Sequence, residues 1–162
     1  MPLLLTAGCA PEEPVVLYSE PRIPAFSSKP PVIAKSLSKD EEKKIQTVIY
    51  GYLLEKHPWE GGDYSALFLQ ADDDVVEGFI KKFPDHVPPI KQSSHIDLRL
   101  TQSPRDKDTG KPALILGADV GDLKEDGSVD VTGRWDAGSS VKGSYSFLMK
   151  KSGDDWSISN VK

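Results

Sequence analysis

One cysteine in 162 residues, Cys9, leaves no intrachain disulfide and no thiolate-rich metal site to build. No run of 18 or more apolar residues occurs, so nothing in the sequence reads as a membrane-crossing helix. Lysine and arginine number 20 against 25 aspartates and glutamates, and a net charge of -5 lacks the clustered basic face that nucleic acid requires. There is no Gly-rich phosphate loop, no nucleophile elbow and no His-Glu-x-x-His spacing, so the sequence implies no cofactor and no catalytic residue by motif. The three histidines, His57, His86 and His95, fall at a helix end, in a proline-rich connector and on an expected strand, without metal-ligand spacing.

What the N-terminus does have is an address. Leu3, Leu4, Leu5, Thr6, Ala7, Gly8 and Cys9, followed by Ala10 and Pro11, resemble the tail of a bacterial lipoprotein signal peptide, in which small residues precede a lipidated cysteine. The stretch departs from that family at Thr6, where leucine is preferred, and it lacks a basic n-region, which suggests a start inside a longer signal. The resemblance implies that residues 1–9 are a signal remnant, that Cys9 carries the lipid, and that acyl chains hold the protein at a membrane surface. Ala10 after the cysteine implies, by similarity to enterobacterial lipoproteins, the periplasmic face of the outer membrane. Residues 10–37, with Pro11, Pro14, Pro21, Pro24, Pro30 and Pro31, read as a tether that can sustain neither a helix nor a central strand. Val15 to Tyr18 offer an alternative as a docked edge strand.

Residues 38–162 read as one folded domain of the α+β class. Ser38 and Glu41 form a capping box, and Ile45, Val48, Ile49, Tyr52 and Leu53 recur at helical spacing until His57 and Pro58 stop the helix. Tyr64 to Gln70 is either a short buried strand or a helical or irregular link, the second being preferred. Asp72, Asp73 and Asp74 cap a second helix whose stripe is Val75, Val76, Phe79, Ile80 and Phe83 and which ends at Pro84. Five strands are then expected in a curved antiparallel meander with no βαβ unit. The first is His95 to Thr101, with Ile96, Leu98 and Leu100 inward. The Asp106–Gly110 stretch is expected to be a solvated hairpin tip, although it resembles half of a calcium loop. Asp126–Gly127 and Gly153–Asp155 mark later turns.

Helix order, the meander, the runs Gly133-Arg134-Trp135 and Gly143-Ser144-Tyr145-Ser146-Phe147, and the final Trp156 and Ile158 resemble the NTF2-like superfamily, also grouped with cystatin-like folds, over about Ser38 to Val161. That resemblance covers both enzymes and non-catalytic binding domains, so it does not choose a function. Three readings follow. In the first, Trp135, Tyr145, Phe147 and Trp59 either fill the core or line a cavity for an apolar or planar ligand. In the second, the domain is a small enzyme of isomerase, dehydratase or cyclase type with acid-base residues drawn from Asp63, Tyr64, His57 and His95. In the third, a polar stripe of His95, Asp97, Arg99 and Arg134, or an exposed edge strand, docks a periplasmic protein, with Asp97 and Arg134 as a candidate cross-strand pair.

Overall fold

The computed structural model describes residues 36–59, 62–98, 103–138 and 141–162, all within the unit Ile33–Lys162. Cys9, residues 10–35 of the expected tether and Arg99 therefore lie outside the described residues, while Leu37, expected in the tether, packs against the main core. Helix α1 (Lys39–Lys56) opens on the capping box read from the sequence: Glu41 N–H donates to Ser38 Oγ at 3.3 Å and Ser38 N–H to Glu41 Oε2 at 3.1 Å. Strand β1 (Leu67–Leu69), helix α2 (Asp73–Lys82) and strand β2 (Ile90–Lys91) follow. A short hairpin of β3 (Ile96–Asp97) and β4 (Arg105–Asp106) leads to β5 (Leu114–Leu123), β6 (Ser128–Asp136), β7 (Lys142–Ser152) and β8 (Asp155–Val161).

The main sheet is open and six-stranded, ordered β2-β1-β5-β6-β7-β8. It is antiparallel from β5 onward, and parallel where β1 pairs with both β2 and β5. Three expectations are corrected here. Leu67–Leu69 is a strand rather than a link, and β1-α2-β2 is a βαβ unit. The reason is burial on both faces: Leu67 and Leu69 join the main core, while Phe68 joins Ala66 and Ala113 under Ile96 and Ile115 on the other side. A strand covered on both sides has no alternation to detect. The expected strand at His95–Thr101 is the third correction. His95 ends a 3-10 turn, Ser93–His95, only Ile96 and Asp97 pair, and they pair with β4 in a separate sheet. Leu98, expected inward, is 59% exposed, and residues 99–102 lie outside the described set.

Both helices share one core with one face of the large sheet. Ile45, Ile49, Leu53, Val76 and Phe79 pack with Leu67, Leu114, Leu116, Val131, Phe147 and Met149. Tyr50 is fully buried, yet its hydroxyl donates to the Gln70 carbonyl at 2.7 Å, and burial pushes its phenol well above the ordinary range. Gly133 lets α1 approach β6, since a Cβ there would stand 2.7 Å from Phe147 and 2.9 Å from Ile49.

The acidic triplet does less capping than expected. Asp72 occupies the N-cap of α2 without a side-chain cap bond, and instead meets Lys39 at 3.0 Å and Lys43 at 3.2 Å. Lys43 also reaches Asp74 at 2.7 Å, so the triplet ties α2 to α1. The Asp106–Gly110 stretch turns as expected, with Gly110 at φ 68, but its first residue is not solvated: Asp106 is fully buried. Lys91 Nζ donates to both Asp106 oxygens at 3.0 Å and to Asp108 at 2.7 Å. Thr109 Oγ1, the Asp108 N–H and Ser65 Oγ also donate to Asp106, at 2.8, 3.2 and 3.4 Å. The lysine ammonium thus sits between the carboxylates that had suggested half a calcium loop. Burial raises the Asp106 carboxyl, but the bonds from Lys91, Thr109 and the Asp108 N–H outweigh it and hold the group below its ordinary range.

These carboxylates give the stability a defined pH dependence. The Lys151 hydrogen bond, then the bonds from Ser38, hold Glu41 down at about 2 against an ordinary 4.5, and Asp72, Asp74, Asp106 and Asp108 are lowered as well. Each group binds its proton more readily in the unfolded chain. Its contribution is therefore complete above the unfolded value and disappears as pH falls through the folded one. Urea midpoints measured downward from about pH 5 to pH 2 should fall steadily. A flat midpoint across that range contradicts the ion-pair assignments.

Candidate functional site

The local sequence at the end of α1 builds one side of a cleft. His57 is the C-cap, its N–H bonded to the Leu53 carbonyl at 3.0 Å and its φ of 44 in the left-handed region. Pro58 then prevents continuation, and the chain turns Trp59 inward until it is 5% exposed. The opposite side comes from the sheet. Trp135 on β6 stands in register with Gly143 on β7, and a Cβ at Gly143 would overlap the indole. The missing side chain is what lets the ring lie across the neighbouring strand.

Tyr145 sits one pair further along β7, with its ring centroid 5.2 Å from Trp135 and 6.2 Å from Tyr52 of α1. Phe147 lies beneath, 5.2 Å from Tyr52 and edge-on to it. The resulting open cleft has a volume of about 460 Å³ and is lined by Trp59, Trp135 and Tyr145, with Lys56, His57 and Lys142 among its other walls. Lys56 Nζ stands 5.7 Å above the Tyr52 ring and 3.2 Å from Glu55, and Lys142 pairs with Asp136 at 3.4 Å. An aromatic wall with ammonium groups at the rim suits a planar apolar group that carries a negative charge.

Three of the four residues singled out for ligand binding thus meet in one place. Phe147, at 2% exposed, is core rather than wall. Tyr52, Lys56, His57 and Lys142 complete the surroundings, and none was read as part of this site. Tyr52 had only its helical spacing, which equally describes a core stripe. Lys56 lies four residues after Tyr52 on α1, the spacing at which two side chains meet on one helix face.

The polar stripe does not assemble as a single strand face. His95 is exposed on the 3-10 turn, with Nδ1 3.1 Å from Asp108, and Asp97 stands in register with Arg105. Arg134 projects from the other face of β6, bonded to Asp119 at 3.0 Å and to Gln70 at 2.8 Å. Those two groups, rather than Asp97, are the Arg134 partners. Arg134 and Asp119 lie on the sheet face opposite the main core, beyond the Phe68 cluster, where both side chains reach solvent and cross-strand ion pairs are ordinary.

The four acid-base candidates are not brought to one point. His57 stacks on His86 at 5.7 Å and meets Trp59 at 5.4 Å, while His95 belongs to the Lys91, Asp106 and Asp108 cluster. Asp63 is exposed, and Tyr64 is half-buried, its phenol pushed up by burial. No group of three or more histidine, cysteine, aspartate or glutamate side chains capable of holding a metal ion occurs among the described residues. The architecture is α+β, with two helices on a mostly antiparallel open sheet, and comparison with protein-family models, curated proteins and solved structures gave no match.

Proposed function

We propose that this chain is a lipid-anchored protein of the bacterial envelope whose domain binds a planar apolar ligand with an anionic group in the cleft between the end of α1 and strands β6 and β7. One observation carries the binding reading: Trp59, Trp135 and Tyr145, from three separate segments, line the same open cleft, and lysines stand at its rim. The partly exposed rings of Trp135 and Tyr145, beside the buried Trp59 at the end of a well-filled core, are better explained by an occupant than by packing. The envelope address rests on the sequence around Cys9, and the proline-rich stretch would hold the domain away from the bilayer. The NTF2-like or cystatin-like reading of the fold belongs with this proposal, since helices packed against a curved sheet suit a cavity at one end.

The probe is 8-anilinonaphthalene-1-sulfonate, an aromatic anion built on a planar naphthalene ring. It should bind the native domain at one site, and Trp135→Ala should weaken that binding at least about tenfold while the protein stays folded. Affinity unchanged from the unsubstituted protein in both Trp135→Ala and Tyr145→Ala would reject the cleft as the site. For the anchor, metabolic labelling with an alkyne palmitate should mark the chain in its host and should not mark Cys9→Ala. Label retained by that variant would reject lipidation at Cys9.

A further inference from the structure

His57 also lines a second cavity, which shares no other wall residue with the cleft. Gly51, Leu54 and Glu55, three and four residues apart, present one face of the last turns of α1 to it. Lys82 closes α2, Phe83 caps it and Pro84 stops it, and the chain then brings His86 and Val87 to the same space of about 610 Å³. A Cβ on Gly51 would meet nothing within 4 Å, so the helix surface there is open, and Val87 at the rim is 85% exposed. The walls are therefore mainly aliphatic with one phenyl ring, whereas indoles and a phenol wall the cleft. The polar groups are few. His86 Nδ1 lies 2.7 Å from the Pro88 carbonyl, which can only accept, so in the neutral ring the proton sits on Nδ1 and Nε2 carries a lone pair. That Nε2 is buried and has no hydrogen-bond partner. A buried acceptor left without a donor is rare in a folded protein and calls for a reason. Lys82 Nζ stands 5.3 Å over the Phe83 ring and forms no ion pair with a described residue, while Glu55, the carboxylate on the wall, meets Lys56 at 3.2 Å. Asp85, next to His86 in the chain, is exposed and outside the lining.

We infer that this cavity binds an aliphatic carboxylic acid, with the chain along Gly51, Leu54 and Phe83 and the carboxyl group held by His86 and Lys82. Two properties select that class. The lone pair needs a partner that brings a proton, and the ammonium needs one that carries negative charge. A carboxylic acid supplies both: its proton passes to His86 Nε2, and its carboxylate stays beside the imidazolium and the Lys82 ammonium. The Nδ1–H bond to Pro88 is kept, so both ring nitrogens are then satisfied. A metal ion also takes lone pairs, but here it would face the Lys82 ammonium. The apolar walls select a hydrocarbon chain over a bare acid such as acetate, and the volume lies in the range of small-molecule sites. Nε2 is closed off from water, so a side chain has to move to admit the acid. His57, exposed and stacked on His86 at 5.7 Å, has room to swing toward solvent.

Octanoate, titrated into the full chain, tests this. It should bind saturably at one site, and octan-1-ol and octylammonium should bind at least about tenfold more weakly. In nitrogen-15 spectra of the histidine rings, octanoate should turn His86 Nε2 from a bare into a proton-bearing nitrogen, while Nδ1 keeps its proton. Lys82→Met retains the apolar stem and should cost about threefold or more in affinity. His86→Asn retains a donor for the Pro88 carbonyl but lacks Nε2, and should cost at least about tenfold. If that variant fails to fold, Lys82→Met and the ring signals decide. Three results would overturn the inference: no saturable binding of octanoate, octan-1-ol bound as tightly, or affinity unchanged in Lys82→Met with His86 Nε2 still bare. Octanoate that moves the Trp135 indole signal and leaves His86 unchanged would place the acid in the cleft, which rejects this site and not the cleft reading.

Discussion

Lys91→Met should destabilise the domain by about 3–5 kcal/mol, because it leaves the fully buried Asp106 carboxylate without its cation. The hydroxyls of Thr109 and Ser65 and the N–H of Asp108 remain, but none of them carries charge. Asp106→Asn in the same background should restore a large part of the loss, since an amide keeps an acceptor for those donors and needs no counter-charge. Urea denaturation of the two single variants and the double variant measures the coupling. The effect should be centred on the β3–β4 hairpin, where the Lys107 N–H bonds to the His95 carbonyl and the Ala113 N–H to the Pro104 carbonyl. Amide exchange at Lys107 and Ala113 should therefore accelerate more than exchange in β6. Additive losses in the double variant would mean that Lys91 and Asp106 do not act as a pair.

Phe147→Ala is the second large effect, at about 3–5 kcal/mol. The side chain is 2% exposed, it lies under Tyr52 and Tyr145, and one of its ring carbons would be 2.7 Å from a Cβ at Gly133. Truncation would open a void where α1 meets β6, and the glycine cannot fill it. Trp135→Ala should cost less stability, because the residue is half-buried at the margin of the core, and should act mainly on binding. Thermal melts of the two variants separate the roles. Comparable losses of stability would make Trp135 a core residue and remove the aromatic wall from the account.

How far the fold could be read in advance depended on how local its causes are. Ser38 and Glu41 are three residues apart, so the capping box and the stop at Pro58 were legible, as were the Asp126–Gly127 turn and the alternation through β6 and β7. Leu67–Leu69 was not, because a strand with apolar cover on both sides has the same pattern as a buried helical turn. The short β3 escaped for the opposite reason: Ile96 and Leu98 alternate like one edge of a buried strand, yet pairing ends after Asp97 and Leu98 faces solvent. Lys91 and Asp106 lie 15 residues apart with a 3-10 turn and a hairpin between them, so their pairing exists only in three dimensions. The cleft falls between these cases. Trp59, Trp135 and Tyr145 stood out as large aromatic residues, but whether they filled a core or lined a wall depended on Gly143 and on the chain reversal at His57.

The most direct measurement uses the three tryptophans as reporters of position. Their indole N–H resonances are observed separately in a proton–nitrogen correlation spectrum. Trp59 and Trp135 line the cleft at the C-terminal end of α1. Trp156 is buried on β8, and Lys151, bonded to Glu41 at the N-terminal end of α1, stands over its ring. The 18 residues of that helix put the two ends about 27 Å apart. Titration with anilinonaphthalenesulfonate should move the Trp59 and Trp135 indole signals together, with a single saturating curve, and leave Trp156 in place. Equal movement of all three, or movement of Trp156 alone, would contradict a binding site at the cleft.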